Sequence, residues 1–352
     1  MHATSATQAH GAVPVSCNRA HRSNAVIKSH ESLIEKRVAG VTRKTWGDYS
    51  VELSGRPRRL LGEKGAETYT EIHTFHVVIH LYTMSEKVQV SYSGRIATIT
   101  IDNEKKLGAL DLEGYYALAK SMREVAARDD IYITILTGKG RYFSAGADVS
   151  VGRSHPPGTD LYKEWLRTFV SNNLNITQAF YSHPKILIAA LNGPAVGLSA
   201  ALTGFADFVY AAPHTFLLTP FSSLGLVAEG GASQAFVQRL GISKANEALI
   251  MSKRIGVEEL VATGYVNKVF ECEKGDNEGF MRQVLHEVDD RLGEHLVGES
   301  LTGIKALIRK PEREVLDRQT VAEVFAGLNR FVTGVPQQEF QKLASGQKRH
   351  KL

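Results

Sequence analysis

Alternation of apolar and polar residues starts at Val88. Val88-Gln-Val-Ser-Tyr92 and Ile96-Ala-Thr-Ile-Thr-Ile101 follow the two-residue period of half-buried strands and predict an opening strand pair. Further on, Ile131, Ile133, Ile135 and Leu136 read as a buried strand that Gly138 and Gly140 end. A run of very small residues, Ser144-Ala-Gly-Ala147, then leads to Asp148, which is expected to cap a helix. The pattern recurs in Lys185-Ile-Leu-Ile-Ala-Ala-Leu191, an apolar strand that runs into Asn192-Gly-Pro194 and opens a helix of small residues from about Gly197. Strand, tight glycine turn and helix start occur twice, so the chain reads as α/β. The first N–H groups of a helix lack internal partners and favour negative charge. Two such ends facing each other would form a pair of backbone donors for an oxyanion. Two ordinary βα turns would leave the same pattern.

Residues 1–83 show neither period. They hold seven of the thirteen histidines with scattered Ser and Arg, and Met84 stands directly before the first strand pair. This segment is expected to be a poorly ordered extension, or an over-extended start of the reading frame. A transit peptide is the competing reading, although no amphipathic basic face is visible.

One carboxylate stands out against its surroundings. In Pro220-Phe-Ser-Ser-Leu-Gly-Leu-Val-Ala-Glu-Gly-Gly231, Glu229 follows apolar or small residues and precedes two glycines that allow a sharp turn. Without a cation nearby in sequence, its carboxyl should lose solvation and its pKa should rise, as a general base working near neutrality requires. The segment alone reads equally well as a surface-loop glutamate before a Gly-Gly turn.

Composition narrows the classes. The chain has 352 residues, 43% hydrophobic and 22% charged, enough for a sizeable core. Cys17 and Cys272 lie far apart, which excludes a disulfide framework and a zinc ribbon. The apolar stretch from Phe75 to Leu81 is too short to span a membrane. The formal charge of +5 sits mostly in residues 1–83, with 11 basic and 7 acidic side chains, while the remainder holds 31 and 30. No nucleic-acid footprint is expected on that nearly neutral body. Gly138-Lys-Gly-Arg141 is too short for a P-loop, and Ser199 lacks the final glycine of a nucleophile elbow.

Taken together, Phe143-Ser-Ala-Gly-Ala-Asp148, Asn192-Gly-Pro-Ala-Val-Gly-Leu-Ser199 and the Glu229 block resemble the crotonase, or enoyl-CoA hydratase/isomerase, superfamily from Ser85 to the C-terminus. The resemblance implies a spiral of ββα repeats over residues 84–285 and a C-terminal helical trimerisation region over 286–352. It implies a homotrimer or homohexamer, an acyl-CoA substrate, and neither metal nor cofactor. Motif by motif, the oxyanion donors fall on the backbone N–H groups of Ala147 and Leu198. Ser144, Ala145, Gly146, Asp148, Gly197 and Phe221 fall among the substrate-binding positions, and Asn173 matches an asparagine that lines the site, with Asn172 and Asn175 close by.

The two glutamates of the hydratases fall on Ala201 and Phe221 here, and neither can carry a proton. What remains matches the single glutamate of the Δ3,Δ2-enoyl-CoA isomerases, with Glu229 as proton shuttle; the block looks most like fungal peroxisomal members. The alternatives are a non-catalytic acyl-CoA-binding module, an enoyl-CoA hydratase and a dienoyl-CoA isomerase. Lys105, Lys106, Lys342, Lys348 and Arg349 are candidates for the CoA phosphates, each equally readable as a solvated surface charge. The C-terminal His350-Lys351-Leu352 resembles the Ser-Lys-Leu address, which implies a peroxisomal import receptor as partner; a chance basic tail would read the same.

Overall fold

The computed structural model describes residues 87–151 and 155–350, together with the backbone of four strands between residues 36 and 80. The chain divides into two compact units, Met1–Thr83 and Met84–Leu352. In the first, β1 (Lys36–Val38), β2 (Val41–Trp46), β3 (Tyr49–Ser54) and β4 (His76–His80) form an antiparallel meander in that order. The expected poorly ordered extension over 1–83 otherwise falls on residues outside the described ones.

The second unit opens with the expected pair, β5 (Val88–Ser93) and β6 (Ile96–Ile101), joined antiparallel. Helix α1 (Leu112–Ala126) follows, its N-terminus capped by the Asp111 carboxylate, which accepts from Gly114 N–H at 2.9 Å. Strand β7 (Ile133–Gly138) leads through a long loop to α2 (Leu161–Trp165), a π-helical stretch Leu166–Val170 and α3 (Ser171–Tyr181). Strand β8 (Ile186–Leu191), the short β9 (Ala195–Val196) and α4 (Gly197–Thr203) carry the second small-residue motif. Then come β10 (Phe208–Ala211), β11 (Phe216–Leu218), α5 (Ala232–Leu240) and α6 (Ile242–Leu249). After β12 (Ile255–Gly256), α7 (Val257–Ala262) and β13 (Lys268–Val269), the chain ends in helices. These are α8 (Asn277–Leu292), α9 (Gly298–Arg309), α10 (Arg313–Val332) and α11 (Val335–Ala344). Helix α8 runs through the boundary placed at residue 285.

Six strands make one sheet in the order β13-β10-β8-β7-β6-β5, and β12-β11-β9 make a second. The central strands β7 and β8 are buried at every position, as expected of parallel strands covered on both faces. Alternate side chains go to different cores. Leu136, Leu187, Ala189 and Leu191 join the main core with Leu118, Met122 and Phe180 from α1 and α3. Ile133, Ile135, Ile186 and Ile188 pack instead with Phe280, Val284 and Val288 of α8. A third cluster gathers Trp165, Val324, Leu328, Phe331 and Phe340 and so ties α10 and α11 to the segment before α3.

One local expectation fails. Asp148 caps no helix; its Oδ1 accepts from the backbone and hydroxyl of Ser150 in a turn. Pro156-Pro-Gly158, with Gly158 at φ +83°, cannot continue a helix, and α2 starts only after Asp160, whose carboxylate accepts from Lys163 N–H at 3.1 Å. The first motif is therefore an extended loop and not a helix start.

Candidate active site

The two small-residue motifs are laid side by side. Ser144 and Ala195 form a parallel bridge, and Val196 N–H donates to Ser144 O at 2.9 Å. Phe143 and Ser144 N–H groups both donate to Pro194 O, at 3.1 and 3.2 Å. Small residues are needed because the backbones nearly touch. A Cβ on Gly146, at φ +83°, would lie 2.7 Å from Val196 O. Side chains reinforce the join. Ser144 Oγ donates to Gly108 O at 2.7 Å and lies 2.9 Å from Ser199 Oγ, which in turn lies 3.1 Å from the Tyr115 hydroxyl. Ser144 is fully buried, so its hydroxyl is engaged within the protein.

The two N–H groups that the resemblance puts forward are those of Ala147 and Leu198. Around Ala147, the N–H groups of Ala145, Gly146 and Asp148 donate to Leu107 O, Ser144 Oγ and Leu110 O, at 2.8, 3.1 and 2.9 Å. The Ala147 N–H belongs to none of these bonds. Leu198 stands in the first turn of α4, where no helical carbonyl lies behind its N–H. Ala147 and Leu198 line one cavity of roughly 60 Å³, together with Ala145, Gly197 and Phe221.

The carboxylate in that cavity is Glu229. Asn173, on α3 and almost fully buried, donates through Nδ2 to Glu229 Oε2 at 2.9 Å, and its own Oδ1 accepts from Thr177 Oγ1 at 3.3 Å. After Glu229 the chain turns through two left-handed residues, Gly230 at φ +68° and Gly231 at φ +72°. A Cβ on Gly230 would lie 2.6 Å from Leu198 Cδ1 and 3.0 Å from Ala201 Cβ. This contact brings the Glu229 turn against Leu198. Ala201, onto which the resemblance places the first glutamate of a hydratase, is fully buried. At the second such position Phe221 presents an aromatic wall to the cavity.

Other candidate residues take different places. Asp148 pairs with Lys106 Nζ at 2.7 Å. Burial pushes the Asp148 carboxyl up, but Lys106 and the Ser150 hydrogen bonds outweigh it and hold it below its ordinary range. That pairing occupies one candidate phosphate ligand, while Lys105 is exposed. Lys342 and Lys348 both pair with Glu339, and Arg349 is exposed. His350 lines the cavity beside Phe340 and Leu343 of α11. Lys351 and Leu352 lie outside the described residues.

The sequence pattern did not disclose the part taken by α11 or by Glu323 of α10. Glu323 accepts from Gly231 N–H at 2.7 Å and Ser233 N–H at 2.9 Å. Its one visible signal is a carboxylate on the face that also carries Leu316, Val324, Leu328 and Phe331. Among the described residues no helix is long and apolar enough to cross a membrane, and no cluster of His, Cys, Asp and Glu could hold a metal.

A family model described as enoyl-CoA hydratase/isomerase matches residues 91–291. The chain belongs to this family. A protein of Pyricularia oryzae named Delta(3,5)-Delta(2,4)-dienoyl-CoA isomerase is 64% identical over 280 residues, 76% of this chain and all of that relative. The 3,2-trans-enoyl-CoA isomerase of Saccharomyces cerevisiae is 32% identical over 274 residues, 76% of this chain and 98% of its own length. Among solved structures, an enoyl-CoA hydratase/isomerase from Pseudoalteromonas atlantica superposes with a TM-score of 0.64 at 23% identity. It covers 76% of this chain and 100% of its own. The fold is therefore the crotonase fold expected from the motifs.

Proposed function

We propose that this enzyme is a Δ3,Δ2-enoyl-CoA isomerase, which moves a 3-cis or 3-trans double bond of an acyl-CoA to the trans-2 position. The observation that supports this most is the single carboxylate, Glu229, in the cavity that also holds Ala147 and Leu198. Hydrogens at C2 of a 3-enoyl thioester are acidic because the carbonyl and the double bond both delocalise the resulting charge. Glu229 removes one, and the electron pair moves into a dienolate with its charge on the thioester oxygen. The N–H groups of Ala147 and Leu198 hold that oxygen, and donors of this kind each lower a barrier by roughly 3–4 kcal/mol. The proton on Glu229 then passes to C4, which leaves the double bond between C2 and C3 and restores the carboxylate. No external proton, electron or metal enters the balance.

Asn173 fits the scheme as a fixed donor that keeps the shuttling carboxylate aimed. Ala201 and Phe221 support isomerisation over hydration, since no second acid/base group stands at either position.

A second reading is favoured by the Pyricularia oryzae relative: a 3,5-dienoyl thioester taken to the 2,4-diene. There the proton travels from C2 to C6, four bonds along the chain instead of two. The experiment is turnover of 3-enoyl-CoA against 3,5-dienoyl-CoA by the wild type and Glu229→Gln. Faster turnover of the diene by the wild type would transfer the assignment to that reaction. Undiminished turnover in Glu229→Gln would remove the residue from the mechanism.

Assembly and location complete the proposal. Ile304, Leu307 and Ile308 on α9 are 58%, 72% and 63% exposed, an apolar face suited to association into a homotrimer or homohexamer. The C-terminal His350-Lys351-Leu352 supports import into the peroxisome.

A further inference from the structure

Helix α5 begins directly after the Glu229 turn, and it has no cap of its own. Its N-cap position is Gly231, which carries no side chain. A side chain is excluded there, since φ is +72° and a Cβ would lie 2.5 Å from Phe205 Cζ. Two free N–H groups at the helix start are met instead from α10. Glu323 Oε2 accepts from Gly231 N–H at 2.7 Å, and Oε1 accepts from Ser233 N–H at 2.9 Å and from the Ser233 hydroxyl. One turn earlier on α10, Gln319 Nε2 donates to Ser233 Oγ at 2.8 Å. Glu323 is 6% exposed. Desolvation of this kind disfavours a carboxylate unless its oxygens are used, and here three donors converge on it.

We infer that Glu323 is a positioning residue for Glu229. From a remote helix it supplies the cap that the local sequence cannot, and so fixes the Gly230-Gly231 turn that aims the proton-shuttling carboxylate. The geometry is a chain of three rigid links. Glu229 is followed by Gly230, which packs on Leu198. Gly231 follows and donates to Glu323. Glu323 rides on α10, whose Val324 and Leu328 are buried to 0% in the cluster with Phe331 and Phe340. With that anchor loosened, Glu229 keeps its chemistry but loses its fixed distance to C2 and C4. Small displacements of a catalytic group cost far more in rate than in binding.

This inference rests on the proposed role of Glu229. It is tested with Glu323→Gln, which keeps one acceptor oxygen, and Glu323→Leu, which keeps none. Wild type and variants are compared for kcat and KM on whichever of 3-enoyl-CoA and 3,5-dienoyl-CoA the wild type converts faster. Amide hydrogen exchange is followed over residues 230–234. The expected result is a kcat fall of about 10²-fold in Glu323→Leu, with partial recovery in Glu323→Gln, KM within about twofold, and faster exchange at Gly231 and Ser233. A kcat equal to wild type in Glu323→Gln, despite faster exchange, would overturn the positioning role. So would a loss in kcat that only follows the unfolded fraction seen in a melting curve. If Glu323→Leu does not fold, Glu323→Gln alone decides by the same criteria. A wild type inactive on both substrates overturns the proposed function, and the variant-to-wild-type ratio then has no meaning for positioning, which falls with it.

Discussion

Ser144 Oγ and Ser199 Oγ lie 2.9 Å apart, fifty-five positions apart in sequence, and join the loop that carries Ala147 to the start of α4, which carries Leu198. Both side chains are buried, Ser144 to 0% and Ser199 to 2% exposure. A third hydroxyl, Tyr115, completes the chain at 3.1 Å from Ser199. Ser199 is therefore no nucleophile. Its hydroxyl holds a register between Ala147 and Leu198.

Replacing Ser199 by Ala removes the hydrogen bonds that its hydroxyl shares with the Ser144 and Tyr115 hydroxyls at a buried position. The expected cost is about 1–3 kcal/mol in unfolding free energy, read from urea titration. Loss of alignment between the donors should also lower kcat about tenfold with KM little changed. A variant as stable and as fast as wild type would show that backbone packing alone sets the register.

Asn173→Ala removes the donor on Glu229 Oε2 and should reduce kcat roughly tenfold or more, since hydrogen bonds to charged groups contribute about 1.5–3 kcal/mol. Asn173→Asp should be worse, because it places a second carboxylate against the first. Steady-state kinetics on both variants check the order. Equal rates for Ala and Asp would mean that the bond exists without bearing on proton transfer.

How far the sequence disclosed this arrangement depends on the kind of contact. The strand pair at Val88 and Ile96, the buried strands β7 and β8 and the start of α4 were legible because period and glycine turns are local properties. The two small-residue motifs do lie side by side, but only the second opens a helix. The helix expected after Asp148 is displaced to Leu161 by Pro156-Pro-Gly158, so Ala147 stands in a loop. The side chains of Ser144 and Asp148 are engaged within the protein, with Gly108 and Ser199 and with Lys106, contacts that no local pattern reports. Glu323 and the walls made by Phe340 and Leu343 were hidden for another reason. They reach the site from the last two helices, and no local pattern reports which turn a distant helix will cap.

His183 gives a pH dependence independent of catalysis. It is 3% exposed and 2.8 Å from Thr134 Oγ1. Burial, then the positive charges of Lys305 and Lys185, push its pKa down to about 3. In the unfolded chain it titrates near 6.5, so between about 6.5 and 3 the unfolded state binds a proton that the native state refuses. Stability therefore rises with pH through that window, and is lost as pH falls. His183→Gln, which keeps a partner for Thr134, should lose less on going from pH 7 to pH 4.5, by up to about 2–3 kcal/mol in urea unfolding. An identical pH dependence in the variant would place the acid sensitivity elsewhere.

His350 ties the C-terminus to the site. It lines the same cavity as Glu229, next to Phe340 and Leu343. Burial holds its imidazole below the ordinary range, with the Lys348 charge acting in the same direction, so near neutral pH it presents an uncharged ring to the cavity. Lys348 fastens this stretch by donating to Ser223 O and pairing with Glu339. The cavity is small, roughly 60 Å³, so one side chain of this size is a substantial part of its wall. His350→Ala should therefore open room for a longer acyl chain. Each additional methylene buried is worth about 0.8 kcal/mol, close to a fourfold change in kcat/KM. The ratio of kcat/KM for 3-decenoyl-CoA over 3-hexenoyl-CoA is expected to rise about fourfold or more in the variant, with the Glu229 chemistry intact on the shorter substrate. A ratio equal to wild type would show that the acyl chain leaves the cavity by another side, away from α11.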